Sequence, residues 1–216
     1  MQSNGMSSLR PGATVIHGRD GTRGLMPAAA GSLLRSQGWN VAAFLWGAAE
    51  ATLFFLVPDV LLSCIGLRRG AKAAAIASSW AAFGAAVGGA VMHLWSTHDA
   101  EAARAAVLAV PAVSAQMATA AEAAMRENWF GATLLGPLSL TPFKLYAVLA
   151  PEVGVPLTAF APVAIAARLP RFLVVSIGAA LIGRRLEPSL GGRALVGVLI
   201  GAWLLFYCVF FALMPN

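Results

Sequence analysis

The chain has 216 residues and a net charge of +6, with 59% hydrophobic and only 11% charged residues. An average soluble domain carries about 25% charged residues, so a soluble enzyme, a disordered chain and a nucleic-acid-binding domain are excluded. The mean hydropathy of +0.76 and the pI near 10.4 instead fit lysines and arginines flanking membrane spans. Cys64 and Cys208 lie in apolar stretches, so neither a disulfide framework nor a zinc spacing is present.

Residues 1–38 read as a polar, poorly ordered cytoplasmic tail. Gly5, Pro11, Gly12, Gly18, Gly21 and Gly24 interrupt any periodicity. Arg10, Arg19, Arg23 and Arg35 face a single acid, Asp20, a balance that transit peptides share.

Residues 39–67 are apolar apart from Asn40, Glu50 and Asp59. A straight helix of that length would measure about 43 Å, against about 30 Å of hydrocarbon. Pro58 removes a backbone donor and disfavours helix at the residue before it. The stretch is therefore a tilted span or a helix that turns back at Pro58. Residues 73–96 form a clean span with a Gly84/Gly88 pair that allows close helix contact. Residues 97–127 are alanine-rich and charged, divided by Pro111. They read as two short surface helices, the first starting at Thr97 with Asp99 and Glu101 near its N-terminal dipole; a soluble insertion is the alternative.

Residues 128–152 are apolar again but broken by Gly136, Pro137, Pro142 and Pro151. Irregular backbone at membrane depth persists only when buried in protein or lining a water-filled cavity. This points to a re-entrant hairpin. Residues 155–183 form a long apolar helix with Arg168, Pro170 and Arg171 at its centre. A short loop with Arg184, Arg185 and Arg193 leads to a last span, 194–213.

With both proline-broken stretches as hairpins, residues 1–38, 68–72 and 184–193 share one side and hold ten of the fifteen basic residues. Arg104 and Arg126 lie opposite. If every stretch crosses, the split is nine to three. Either way the N-terminus is cytoplasmic. The segments WGAAEATLFFLVPD (46–59) and WFGATLLGPLSLTP (129–142) both run from a tryptophan through Ala-Thr-Leu to a proline. Two hairpins entering from opposite faces would form an inverted repeat, the arrangement that places transporter sites near the midplane.

Five ionisable residues fall inside apolar stretches: Glu50, Asp59, Lys144, Arg168 and Arg171. Each costs about 2.5–3.5 kcal/mol at a span centre, so they pair with one another or face water. One reading is structural, with two salt bridges and a snorkelling lysine locking the hairpins to the helix. The other is a polar cavity that binds an anion and moves protons, favoured by three bases against two acids. Arg168 and Arg171 are three apart on one helix face and suit phosphate oxygens. Lys144 follows Pro142 as Asp59 follows Pro58, at the expected hairpin tips. Ser139 and Thr141 are candidate donors to the anion, and Glu50 and Asp59 candidate proton-coupling groups. His93 and His98, with Trp39, Trp95 and Trp129, read as interfacial residues.

At these residues the chain resembles the DedA superfamily, also called the VTT or SNARE-associated domain, and most closely its YqaA-like branch. The matching pattern is Glu50 upstream of Pro58-Asp59, then Thr141-Pro142-Phe143-Lys144, then Phe160, Arg168 and Arg171-Phe172. It covers about residues 40–185. Leu140 stands where the family has the first proline of its lysine motif, and the small residues after that motif give way to Pro151-Glu152.

The resemblance implies an all-α membrane protein with two opposed re-entrant hairpins, about three full transmembrane helices and surface amphipathic helices. It implies movement of lipids or lipid-phosphate carriers across a bacterial inner membrane, with proton dependence in some members. Glu50 and Asp59 match the acidic positions, and Lys144, Arg168 and Arg171 the basic ones. The expected partners are lipid and protons, without cofactor, metal, catalytic residue or nucleic acid. A proton-coupled small-solute transporter, a membrane enzyme using Glu50 and Asp59 as an acid/base pair, and an assembly factor with structural charges are the competing readings. Against the enzyme, the sequence shows no nucleophile motif.

Overall fold

The computed structural model describes residues 28–136 and 141–213, with side chains from residue 37 onward. The described residues form six helices and no strand: α1 (Ala28–Ala51), α2 (Asp59–His98), α3 (Ala100–Leu108), α4 (Ala115–Leu135), α5 (Phe143–Glu152) and α6 (Leu157–Leu213). The all-helical expectation holds. α2 and α6 are long and apolar enough to cross a membrane.

α1 begins at Ala28, inside the stretch expected to be an unstructured tail. Alanines and leucines in AAAGSLLRSQ are strong helix formers, and they prevail over Gly31 and Ser32. The glycines and arginines upstream, in residues 1–27, lie outside the described residues.

Three of the long elements are broken at single residues. Gly70 (φ 81°) divides α2 into 59–69 and 71–98, Asn128 (φ −153°) divides α4, and Gly191 (φ 74°) divides α6 into 157–190 and 192–213. The glycines take the left-handed conformation that side chains with a Cβ avoid. The expected loop at 184–193 is therefore helix up to residue 190, followed by a reversal at one glycine.

Contacts give the direction of each segment. Phe44 and Ala48 of α1 meet Gly84 and Gly88 of α2 in the same order. Residues 71–98 and 157–190 run in opposite order: Ser78 bonds Phe172 O and Ser176, while His93 Nε2 donates to Val155 O. Gly66 faces Ser176 and Gly183 faces Leu67, so residues 59–69 run with 157–190. The chain therefore reverses between α1 and α2, in residues 52–58. There Thr52 Oγ1 donates to Ala49 O at 2.7 Å, and Trp46 Nε1 donates to Leu56 O at 3.1 Å. Pro58 then opens α2, where its missing N–H costs nothing, and its carbonyl accepts from Leu62 N.

A second reversal lies between α4 and α5. Asn128 Oδ1 accepts from Gly131 N and starts the short segment 129–135. Gly136 meets Tyr146, and Asn128 and Trp129 line a recess with Glu152 and Val153. Segment 129–135 and α5 are thus antiparallel arms, joined through 136–142. Ser96 Oγ donates to Val148 O at 2.7 Å, fixing α5 against 71–98. The base of the first reversal lies beside Gly183, and that of the second beside Arg104, at opposite ends of residues 71–98.

α3 starts at Asp99, whose carboxylate accepts from Ala102 N at 2.9 Å; the Thr97 hydroxyl instead donates back to His93 O. Ser114 caps α4 through Met117 N. Arg104 and Arg126 both bond Glu122, and Arg104 also approaches Glu152 at 3.6 Å. The hydrogen bonds from Arg126 and then Arg104 hold the Glu122 carboxyl below its ordinary pKa. His93 is buried, and its ring Nε2 donates to the Val155 carbonyl.

Packing is the reverse of a water-soluble protein. The interior of α2 is lined by Ala74, Ala77, Ala81, Ala82 and Ala85, while Trp80, Phe83, Val91 and Leu94 point outward at 46–52% exposure. Small residues let backbones approach, as in lipid-embedded helices. A methyl group at Gly84 or Gly88 would collide with the carbonyl of Phe44 or Ala48.

Two stability predictions follow from this packing. Gly84→Val separates α1 from α2 and costs about 1–3 kcal/mol, read as a lowered thermal midpoint. Ala112, at the α3–α4 turn, has φ 63° without being glycine, so Ala112→Gly relieves strain and stabilises by about 1 kcal/mol in the same measurement.

Candidate functional site

The two reversals meet. Lys144, in the first turn of α5, donates from Nζ to Phe54 O at 2.8 Å, joining the tip regions of both. Lys144 is buried rather than snorkelling, because this carbonyl is exposed by the non-helical backbone after Ala51.

Residues 157–190 carry the two arginines to the same place. Arg168 pairs with Glu50 at the end of α1. Arg171 Nη2 donates to Asp59 Oδ2 at 2.9 Å, at the start of the returning arm. A three-residue spacing on one helix thus spans the gap between the two arms of the first reversal. Arg168 is also held between the rings of Phe143 and Phe172, each 5.2 Å from its guanidinium carbon. A guanidinium over an aromatic face gains attraction that grows on desolvation.

Four of the five ionisable residues are buried: Glu50, Asp59, Lys144 and Arg168. Arg171 keeps 29% of its side chain exposed. Together the five carry one net positive charge, three bases against two acids. Hydrogen bonding is incomplete: Asp59 Oδ1 and Arg168 Nε have no partner among the described residues.

Glu50, Lys144, Arg168 and Arg171 line one cavity of about 100 Å³. Thr141 and Pro142 form part of its wall, as does the α3–α4 turn from Val110 to Val113. That turn reaches the cavity because Ala103 and Val107 bury one face of α3 against the core, while Pro111 itself is exposed. A volume of this size holds several waters. Asp59 lies just behind it, reached through Arg171. Ser139 falls outside the described residues, as does Pro137.

The sequence reading missed the remaining wall. Phe206, Tyr207, Phe210 and Phe211 of the last arm close the cavity, and Tyr207 Oη accepts from Val57 N at 3.0 Å, next to Pro58. The signal was faint: Tyr207 is one of two tyrosines in the chain, with a hydroxyl in an otherwise apolar span. The Phe54 carbonyl carried no side-chain signal at all.

Among the described residues there is no cluster of His, Cys, Asp and Glu able to hold a metal ion. The chemistry on hand is charge pairing, anion binding by guanidinium and ammonium groups, and protonation of carboxylates.

Glu50→Gln leaves Arg168 buried without its counter-charge and costs about 3–5 kcal/mol of stability. Replacing both Glu50 and Arg168 with leucine recovers most of that loss, which thermal unfolding of the single and double variants measures.

No protein family, curated protein or solved structure matches this chain.

Proposed function

We propose that this chain is an integral membrane transporter or scramblase of lipids or lipid-phosphate carriers, of DedA/VTT type, with two opposed re-entrant hairpins and a cytoplasmic N-terminus. The observation that carries the reading is Arg171. It stands partly exposed between the charged cavity and an apolar groove between the two arms of α6. A phosphate head group with a hydrocarbon tail has the same two-part character.

The re-entrant reading rests on length and level. α5 has 10 residues, about 15 Å of helix against about 30 Å of hydrocarbon. Asp59 pairs with Arg171 midway along residues 157–190, so the first tip sits level with the middle of a long apolar helix. The charged groups at the tips would then lie near the bilayer centre, where they are expensive and mark pathways. The exposed aromatic and aliphatic faces of α2 and α6 would meet lipid.

In this reading Lys144, Arg168 and Arg171 bind the phosphate, with Thr141 and Ser139 as further donors. Glu50 and Asp59 carry the proton. An arriving phosphate competes for the arginines, frees a carboxylate and allows it to protonate, so substrate and proton are linked through a shared cation. A second reading, an assembly factor with structural charges, draws on the pairing itself: both acids hold arginines and Lys144 holds a carbonyl.

Reconstitution into liposomes with fluorescent phospholipid and a polyprenyl phosphate separates the two. Arg171→Gln with Asp59→Asn, which removes one pair whole and leaves neither of its charges behind, abolishes transport while the protein stays folded; loss of folding with transport retained in the surviving fraction favours the structural role. Asp59→Asn uncouples transport from an imposed pH gradient more than it weakens substrate binding. Transport by the unmodified chain that ignores the gradient removes the coupling role.

A further inference from the structure

The last arm of α6 is held differently from everything else in the molecule. Among residues 192–213 only Leu195 is buried. Residues 157–190, by contrast, bury Phe160, Ala164, Arg168, Phe172, Ser176 and others. The arm turns back at Gly191, in the left-handed region at φ 74°, with open space around its α-carbon. It does not close against residues 157–190. A groove of about 590 Å³ separates them, lined by Val174, Gly178 and Ile182 on one side and Val198 and Ala202 on the other.

Its attachment is to the first hairpin instead, and it is sparse. Trp203 Nε1 donates to Ser63 Oγ at 3.0 Å, and Tyr207 Oη accepts from Val57 N at 3.0 Å. Phe55 and Phe211 meet edge to face with ring centroids 5.9 Å apart. Each bond is worth little individually, yet this arm supplies the aromatic wall of the charged cavity and one side of the groove. Arg171 lies where the two spaces meet.

We infer that residues 192–213 are a lateral gate, hinged at Gly191 and latched by Trp203–Ser63 and Tyr207–Val57, whose outward swing joins the charged cavity to the surrounding apolar phase. The inference rests on the transport reading for its purpose but not for its geometry. Opening breaks two neutral hydrogen bonds and one aromatic contact and leaves both ion pairs intact, since Glu50–Arg168 and Asp59–Arg171 lie wholly outside the arm. Breaking the hairpin free of residues 157–190 would instead expose both pairs at far greater cost.

The test uses the full chain in phospholipid nanodiscs, with Cys64 and Cys208 replaced by alanine and spin labels at cysteines introduced at Leu181 and Leu205, both exposed. The expected result is two distance populations by pulsed electron resonance. Tyr207→Phe with Ser63→Ala raises the ratio of the longer to the shorter about tenfold. A single distance that is identical in both chains overturns the gate. The cysteine-replaced chain without spin labels is assayed for lipid-phosphate transport in liposomes, with the arm tied by a cleavable cross-link between Ser63→Cys and Trp203→Cys. Transport lost on tying and restored on cleavage supports the gate, and undiminished transport overturns it. Two distance populations without any transport leave the gate standing and count against the transport reading.

Discussion

The pairing of Glu50 with Arg168 and Asp59 with Arg171 organises the molecule. Two carboxylates come from the two arms of one reversal, and two guanidiniums come from successive turns of one helix. Neither pair could form without the other close to its present place, because a rigid helix fixes the arginine spacing. The reversal between α1 and α2, the depth at which it stops and the rotation of residues 157–190 are all set by these contacts. Lys144 extends the same logic to the second reversal by bonding the carbonyl of Phe54. Charges that are costly to bury thereby specify register that small apolar residues alone leave loose.

Around this centre the packing relies on absence of side-chain bulk. Gly47, Gly84 and Gly88 bring α1 onto α2, and Gly66 brings the returning arm onto Ser176. On residues 71–98 the large side chains Trp80, Phe83, Val91 and Leu94 point outward. Phe143, Phe160 and Phe172 are instead fully buried, and the charged cavity beside them is about 100 Å³. The softer part of the structure is the last arm, whose contacts are aromatic edges and two hydrogen bonds.

Much of this was legible in the sequence for definable reasons. Pro58 and Pro142 fall where helices restart, because proline is tolerated at a helix start and not within an unbroken one. Pro162, Pro170 and Pro188 nevertheless lie within α6, so proline alone did not mark a break. The five ionisable residues inside apolar stretches announced themselves by their cost of burial. Their partners did not, since pairing depends on which helix faces which. Asp99 rather than Thr97 as the cap of α3 and the helical run beyond Arg185 to residue 190 were misread. Each depends on a backbone carbonyl or on tertiary neighbours that a linear pattern does not carry. Tyr207 was missed because its role is to accept from an amide more than a hundred residues away.

In the membrane reading proposed above, the shortness of α5 bears on how the chain is inserted. A helix of 10 residues is too brief to be retained as a span when it leaves the ribosome. Lys144 within it opposes partitioning further. It has no lasting place until Ser96 is available on one side and Phe160 on the other. Residues 71–98 precede it in synthesis, but residues 157–190 follow. In that reading the segment waits, part-formed, until the helix bearing the arginines has emerged, and its docking is timed by sequence downstream of it.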